Sequence, residues 1–174
     1  MKTRLFFAGS GGQGVLLMGQ IIAKAAMKEG KEVTFMPSYG PEMRGGTANC
    51  TVIVSDQTIN CPLINETDVL VAMNQPSLVK FEPMVAKGGK VFINTSFVDL
   101  RCERSDVEQF EIAANEKAVE LGNEKTSNMI MLGAIVAATG VVSMESVDYV
   151  LSTIFTGEKA KHFALNQKAV RVYA

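Results

Sequence analysis

The chain has 174 residues, 47% of them hydrophobic and 20% charged, with a net charge of −1. That is enough apolar material for one packed domain over residues 1–174, and too little charge for a disordered chain. A balanced charge without a basic run speaks against nucleic acid as a partner, and no apolar stretch approaches the ~18 residues of a membrane span.

Arg4 to Ala8 is a short apolar run that reads as a buried strand; it breaks at Gly9, too soon for a signal peptide, so a cytoplasmic protein is expected. Gly9-Ser10-Gly11-Gly12-Gln13-Gly14 follows, and from Val15 to Glu29 apolar residues recur at helical spacing. Strand, Gly-x-Gly-x-x-Gly, helix is the setting in which that motif has a mechanism. Its glycines let the backbone approach a ligand, and the first amides of the helix, at the positive end of its dipole, favour an anion such as a pyrophosphate. The plainer use of the same residues is a turn that packs the helix on the sheet.

A second strand, Glu32 to Met36, ends in Pro37-Ser38-Tyr39. A dinucleotide-binding unit places an acid at this strand end to hold the ribose hydroxyls. Glu32 stands at the opposite end, which argues against NAD or FAD bound in that mode. In place of the acid comes Ser38-Tyr39-Gly40-Pro41-Glu42-Met43-Arg44-Gly45-Gly46. Arg44 offers a planar fork for phosphate or carboxylate, with Glu42 as its orienting partner. A surface loop holding a local Glu42–Arg44 pair is the plainer reading.

Ala48 to Ser55 alternates and is reached by a short connection, so an antiparallel strand beside the second is expected. Thr58 to Ile64, carrying Cys61-Pro62, reads as a short edge piece. Asp68 to Met73 is a solid apolar run, the pattern of a buried parallel strand. Asn74-Gln75-Pro76-Ser77 starts a helix expected to run through Val85 and to end at Gly88-Gly89, with Lys90 to Asn94 the next buried strand. Polar tips at Asn74 and at Asn94-Thr95-Ser96 either share a crevice at the strand ends or serve as helix caps. Residues 99 to 109 read as a loop, Phe110 to Ala114 as a strand and Asn115 to Gly122 as a helix. Ser127 opens a helix stopped by Gly140, Ser143 caps one running through Phe155, and Lys159 to Tyr173 is the last. The order of elements predicts an α/β, Rossmann-like three-layer domain with a mostly parallel sheet and at least one antiparallel strand.

Cys50, Cys61 and Cys102 lie far apart, without a C-x-x-C pair, and His162 is the only histidine. No metal site or cluster held by this chain alone is expected, and hydrolysis lacks a candidate base.

Gly9 to Val15, with Ser38 to Gly46 after the second strand, resembles the gamma subunit of 2-oxoacid:ferredoxin oxidoreductases. Cys61-Pro62, Asp68 to Asn74 and Asn128-Met129-Ile130-Met131-Leu132-Gly133-Ala134 extend the resemblance over essentially the whole chain. The wording is most similar to the 2-oxoglutarate members, with branched-chain members next. The resemblance implies an enzyme that decarboxylates a 2-oxoacid oxidatively, passes the acyl group to coenzyme A and sends two electrons to ferredoxin. It implies that thiamine diphosphate, Mg and iron–sulfur clusters reside in partner alpha, beta and ferredoxin-like delta subunits, so that this chain is inactive alone. Carried over, Gly9, Ser10, Gly11, Gly12, Gln13, Gly14 and Asn128 form a coenzyme A-associated site. Ser38, Tyr39, Gly40, Pro41, Glu42, Arg44, Gly45 and Gly46 would contact ligand or a partner subunit. A stand-alone nucleotide-binding oxidoreductase and a purely structural assembly subunit remain as alternatives.

Overall fold

The computed structural model describes residues 1–39 and 47–174. Six strands form one sheet: β1 (Lys2–Ser10), β2 (Glu32–Tyr39), β3 (Thr47–Ser55), β4 (Thr67–Ala72), β5 (Val85–Asn94) and β6 (Glu108–Ile112). Six α-helices accompany them: α1 (Val15–Lys28), α2 (Gln75–Phe81), α3 (Ala114–Glu120), α4 (Ser127–Thr139), α5 (Met144–Ile154) and α6 (Phe163–Ala169). The strand order is β2-β3-β1-β4-β5-β6. β4, β5 and β6 run parallel to β1, whereas β3 pairs antiparallel with both β1 and β2. The antiparallel strand beside β2 is thus present, and it also takes the place next to β1.

Alternation along the buried strands divides the core between the two faces of the sheet. Leu5, Phe7, Val69, Val71 and Phe92 join α1, α4, α5 and α6 in the larger cluster. Phe6, Ala8, Leu70, Ala72, Val91 and Ile93 meet Leu78 and Phe81 of α2 in the smaller one. The sheet is therefore covered on both sides, in three layers. Hydrophobic all round, α4 is buried from Ser127 to Val136. Its small residues permit close approach: a Cβ on Gly133 would lie 2.0 Å from the Val170 carbonyl oxygen.

At the amino ends of β1 and β4, Arg4 fixes their register. Its backbone amide and guanidinium donate to Asp68 at 2.7 to 3.0 Å, and Thr67 Oγ1 donates to the Arg4 carbonyl at 2.9 Å. Burial pushes the Asp68 carboxyl up, but these bonds from Arg4 outweigh it and hold the group below its ordinary range. A second clamp joins the end of α1 to the start of α5. The Ser143 amide donates to Glu29 at 2.7 Å, while Lys31 pairs with Glu29 at 2.8 Å and donates to the Val141 carbonyl at 2.8 Å.

Five expectations differ from what is found. The helix expected through Val85 ends at Phe81, because Pro83 has no N–H to continue the ladder and residues 82 to 84 tighten into a 3₁₀ turn. Gly88-Gly89 does not stop a helix but lies inside β5, where the β4 register jumps from Thr67↔Val85 to Val69↔Lys90 and Gly88 N–H donates to Asp106 at 2.7 Å. The last strand is shifted back to Glu108–Ile112, and Ala114 already belongs to α3. The final helix is interrupted: residues 157 to 162 form a 3₁₀ turn, since Gly-Glu-Lys-Ala-Lys-His offers no apolar stripe to bury, and α6 begins at Phe163. Thr58 to Ile64 forms no strand.

Candidate functional site

After β1 the chain turns onto the face that carries α1, and after the adjacent parallel strand β4 it turns onto the opposite face, that of α2. Where neighbouring parallel strands send their connections to opposite sides, a crevice opens at their carboxyl ends. The cleft found there has a volume of about 790 Å³. Its walls are the loop Ser10 to Gly14, the end of β4 from Met73 to Pro76, Phe97, and a polar group from Asn115 and Glu124 to Asn128.

The glycine loop is held by its own glutamine. Gln13 Oε1 accepts from the Ser10 amide at 2.8 Å, and Gln13 Nε2 donates to the Met73 carbonyl at 3.0 Å, tying the loop to the end of β4. A Cβ on Gly9 would meet this brace at 2.6 Å, so Gly9 shapes the loop from beneath while Ser10 to Gly14 line the cleft. Gly12 and Gly14 sit in the left-handed region, with φ of 87° and 71°. Gly14 is also the residue before α1, whose 14 residues start with no side-chain cap. The amides of that first turn have no intrahelical acceptor and, with the helix dipole, prefer an anion.

Asn128, in the first turn of α4, packs on this loop: a Cβ on Gly14 would lie 2.2 Å from its Nδ2. The residue is 6% exposed, lines the cleft, and its side chain has no hydrogen-bond partner among the described residues. An amide so placed can donate to a phosphate oxygen or accept from a ligand hydroxyl or amide. Lys125 adds a cation to the same wall. Asn128 and Lys125 also border a smaller cavity of about 360 Å³ that includes His162 and Asn166.

The two other polar strand tips are taken up by the fold. Asn74 Oδ1 accepts from the Ser77 amide at 3.1 Å and caps α2. Asn94 is fully buried; its Nδ2 donates to Asn115 Oδ1 at 3.0 Å, and its Oδ1 accepts from the Ser96 and Ala114 amides at 3.3 Å. Ser96 Oγ accepts from the Asn115 amide at 3.0 Å and donates to Glu116 at 2.8 Å. Asn94 therefore does not share the crevice with Asn74.

Of the second motif, Ser38 is exposed on the edge strand β2, paired with Asn49, and Tyr39 is the last residue of that strand, paired with Ala48. Gly40, Pro41, Glu42, Arg44, Gly45 and Gly46 lie outside the described residues. Sequence reasoning missed Phe97, Lys125 and Ser127 as lining residues. Phe97 and Lys125 stand in connections without a motif, Ser127 opens α4, and only the topology brings the three to the cleft. The three cysteines are free thiols. Burial pushes Cys50 up to about 12, and burial with the neighbouring Glu82 pushes Cys102 up to about 11, so neither is an activated nucleophile.

Fold and cleft together define an α/β domain with a glycine-loop cleft at its switch point. The family model for pyruvate ferredoxin/flavodoxin oxidoreductase matches residues 4–172, and the chain belongs to that family. It is 37% identical over 174 residues to the ketoisovalerate oxidoreductase subunit VorA of Methanothermobacter marburgensis, covering 99% of this chain and 36% of that one. It thus spans only about a third of that relative's length. The 2-oxoglutarate synthase subunit KorC of Methanocaldococcus jannaschii is 31% identical over 176 residues, covering 99% of this chain and 94% of its own. Among solved structures, a keto/oxoacid ferredoxin oxidoreductase gamma subunit from Geobacter sulfurreducens superposes with a TM-score of 0.82 at 32% identity, covering 98% of this chain and 95% of that one. No helix among the described residues is long and apolar enough to cross a membrane.

Proposed function

We propose that this chain is the gamma-type subunit of a 2-oxoacid:ferredoxin oxidoreductase of the 2-oxoglutarate type, and that its switch-point cleft holds coenzyme A. The reaction joins a 2-oxoacid and coenzyme A, with two oxidised ferredoxins, to give acyl-coenzyme A, carbon dioxide, a proton and two reduced ferredoxins. Thiamine diphosphate, Mg and the iron–sulfur clusters are supplied by alpha, beta and ferredoxin-like delta subunits, and this chain alone is inactive. The single observation that carries the reading is the cradle made by the glycine loop, the uncapped start of α1 and the Asn128 amide, which is unpartnered among the described residues. Those groups suit a diphosphate, which coenzyme A carries between its pantetheine arm and its nucleoside. The size of the cleft supports a nucleotide-sized ligand rather than a lone inorganic ion.

Within the complex, this chain's part is binding and orientation. Amides at Gly12 to Gly14 and the Lys125 ammonium hold the diphosphate, Asn128 fixes its rotation, and the thiol arm reaches out toward the partner active site. By the resemblance, the segment Ser38 to Gly46 would contact ligand or a partner subunit, with Arg44 as the anion or interface contact. The test is affinity purification of tagged protein from its native host under anaerobic conditions, with mass spectrometry and a visible spectrum of the eluate. Thiamine-enzyme subunits and iron–sulfur absorption are the expected result, and the partners' sequences then define the 2-oxoacid. A colourless chain that elutes alone contradicts the assignment.

A further inference from the structure

Among the described residues that line the cleft, Phe97 is the one aromatic side chain, and it is 51% exposed. A single exposed phenylalanine is ordinary on a protein surface. This one differs in how it is held. Its amide donates to the Asn94 carbonyl at 3.1 Å, as does that of Val98 at 3.0 Å, and Asn94 itself is fixed by hydrogen bonds to Ser96, Ala114 and Asn115. On the far side of the turn, the Asp99 amide donates to Gln75 Oε1 at 3.2 Å, which ties the turn to the start of α2. The residue is thus carried on a turn anchored at both ends, lines the cleft and is half-exposed. An exposed aromatic ring on an anchored turn is a platform for a flat ligand group, because its solvent-facing surface is covered when a ring stacks on it.

We infer that Phe97 is the stacking platform for the purine of the cleft's ligand, and so selects a nucleoside diphosphate over diphosphate alone. The inference rests on the reading of the cleft as a coenzyme A site. A flat ring joined to a diphosphate is what a cleft of about 790 Å³ with an anion cradle and one aromatic residue accommodates. Nicotinamide and flavin dinucleotides fit less well, because β2 ends in Pro37-Ser38-Tyr39 with no acid to hold their ribose.

The assembled enzyme tests this with three ligands: coenzyme A as substrate, and ADP and inorganic pyrophosphate as competitors. In a Phe97→Ala complex, the KM for coenzyme A and the inhibition constant of ADP rise about tenfold, in line with the loss of one base–aromatic stack. Inhibition by pyrophosphate is unchanged, kcat at saturating coenzyme A is kept, and Phe97→Trp restores the wild-type constants. Equal constants for coenzyme A in wild type and Phe97→Ala overturn the inference. So does an equal loss for ADP and pyrophosphate, which marks a distorted loop, or a complex that no longer assembles, which marks Phe97 as a subunit contact. Failure of the underlying reading looks different: neither ADP nor pyrophosphate competes with coenzyme A in the wild-type complex.

Discussion

Asn94 and Asn128 are both buried asparagines near the carboxyl edge of the sheet, yet they do opposite work. Asn94 engages both ends of its amide with Ser96, Ala114 and Asn115, whereas Asn128 presses on Gly14 with its amide unpartnered among the described residues. The first belongs to the fold, and the proposed function assigns the second to the ligand. A polar residue at a strand end is read as functional or structural by where its hydrogen bonds go, and residue type alone does not say.

The contrast breaks most visibly at Asn94. Asn94→Ala leaves the Ser96 and Ala114 amides and Asn115 Oδ1 without their partner around a position that is itself fully buried, which costs about 3 kcal/mol of stability by denaturant unfolding. Coenzyme A affinity of the folded fraction stays at the wild-type value. A tenfold loss of affinity with little change in stability would place Asn94 on the ligand side instead.

The clamp at Glu29 gives the fold side of the comparison a pH signature. Burial pushes the Glu29 carboxyl up, but Lys31, the Ser143 amide and the Ser143 and Ser146 hydroxyls outweigh it and bring the group down to about 2 from 4.5. The folded pKa is the depressed one, so the contribution is complete above pH 4.5 and is lost as the pH falls toward 2. With the side chain 20% exposed, solvent screening leaves about 2 kcal/mol. Glu29→Gln is expected to lower stability by that amount at neutral pH and to flatten the acid limb of the stability curve. An unchanged acid limb in the variant contradicts the clamp.

The ligand side should respond in reverse. Asn128→Ala removes an amide that no described residue needs, so stability changes by less than about 0.5 kcal/mol while coenzyme A affinity drops about tenfold. Calorimetry and unfolding on the same preparation separate the two effects.

Much of this was legible in the sequence, and the residues say why. The glycine loop sits between a short apolar run and a helical repeat, so its strand–turn–helix setting follows from local pattern alone. The antiparallel β3 follows from alternation after a short connection. What local pattern does not carry is the partner of each element. Gly88-Gly89 looks like a helix stop, because glycine marks both a cap and a bulge, and only the pairing of β5 with β4 decides between them. Asn74 and Asn94 look alike until the start of α3 is seen to fall on Asn94. Phe97 and Lys125 carry no motif and reach the cleft through topology. The segment from Gly40 to Gly46, which carries half of the resemblance, lies outside the described residues and is the part on which the structure bears least.

One measurement bears most directly on the cleft as a coenzyme A site: a coenzyme A titration of the assembled complex carrying Gly12→Asp. A Cβ at Gly12 has nothing within 4 Å, and aspartate is among the residues that best tolerate the left-handed backbone there, so the substitution places a carboxylate at the cradle without crowding it. A complex that assembles normally and binds coenzyme A at least tenfold more weakly is the predicted result. Unchanged affinity in a complex that assembles would mean that the glycine loop does not hold coenzyme A.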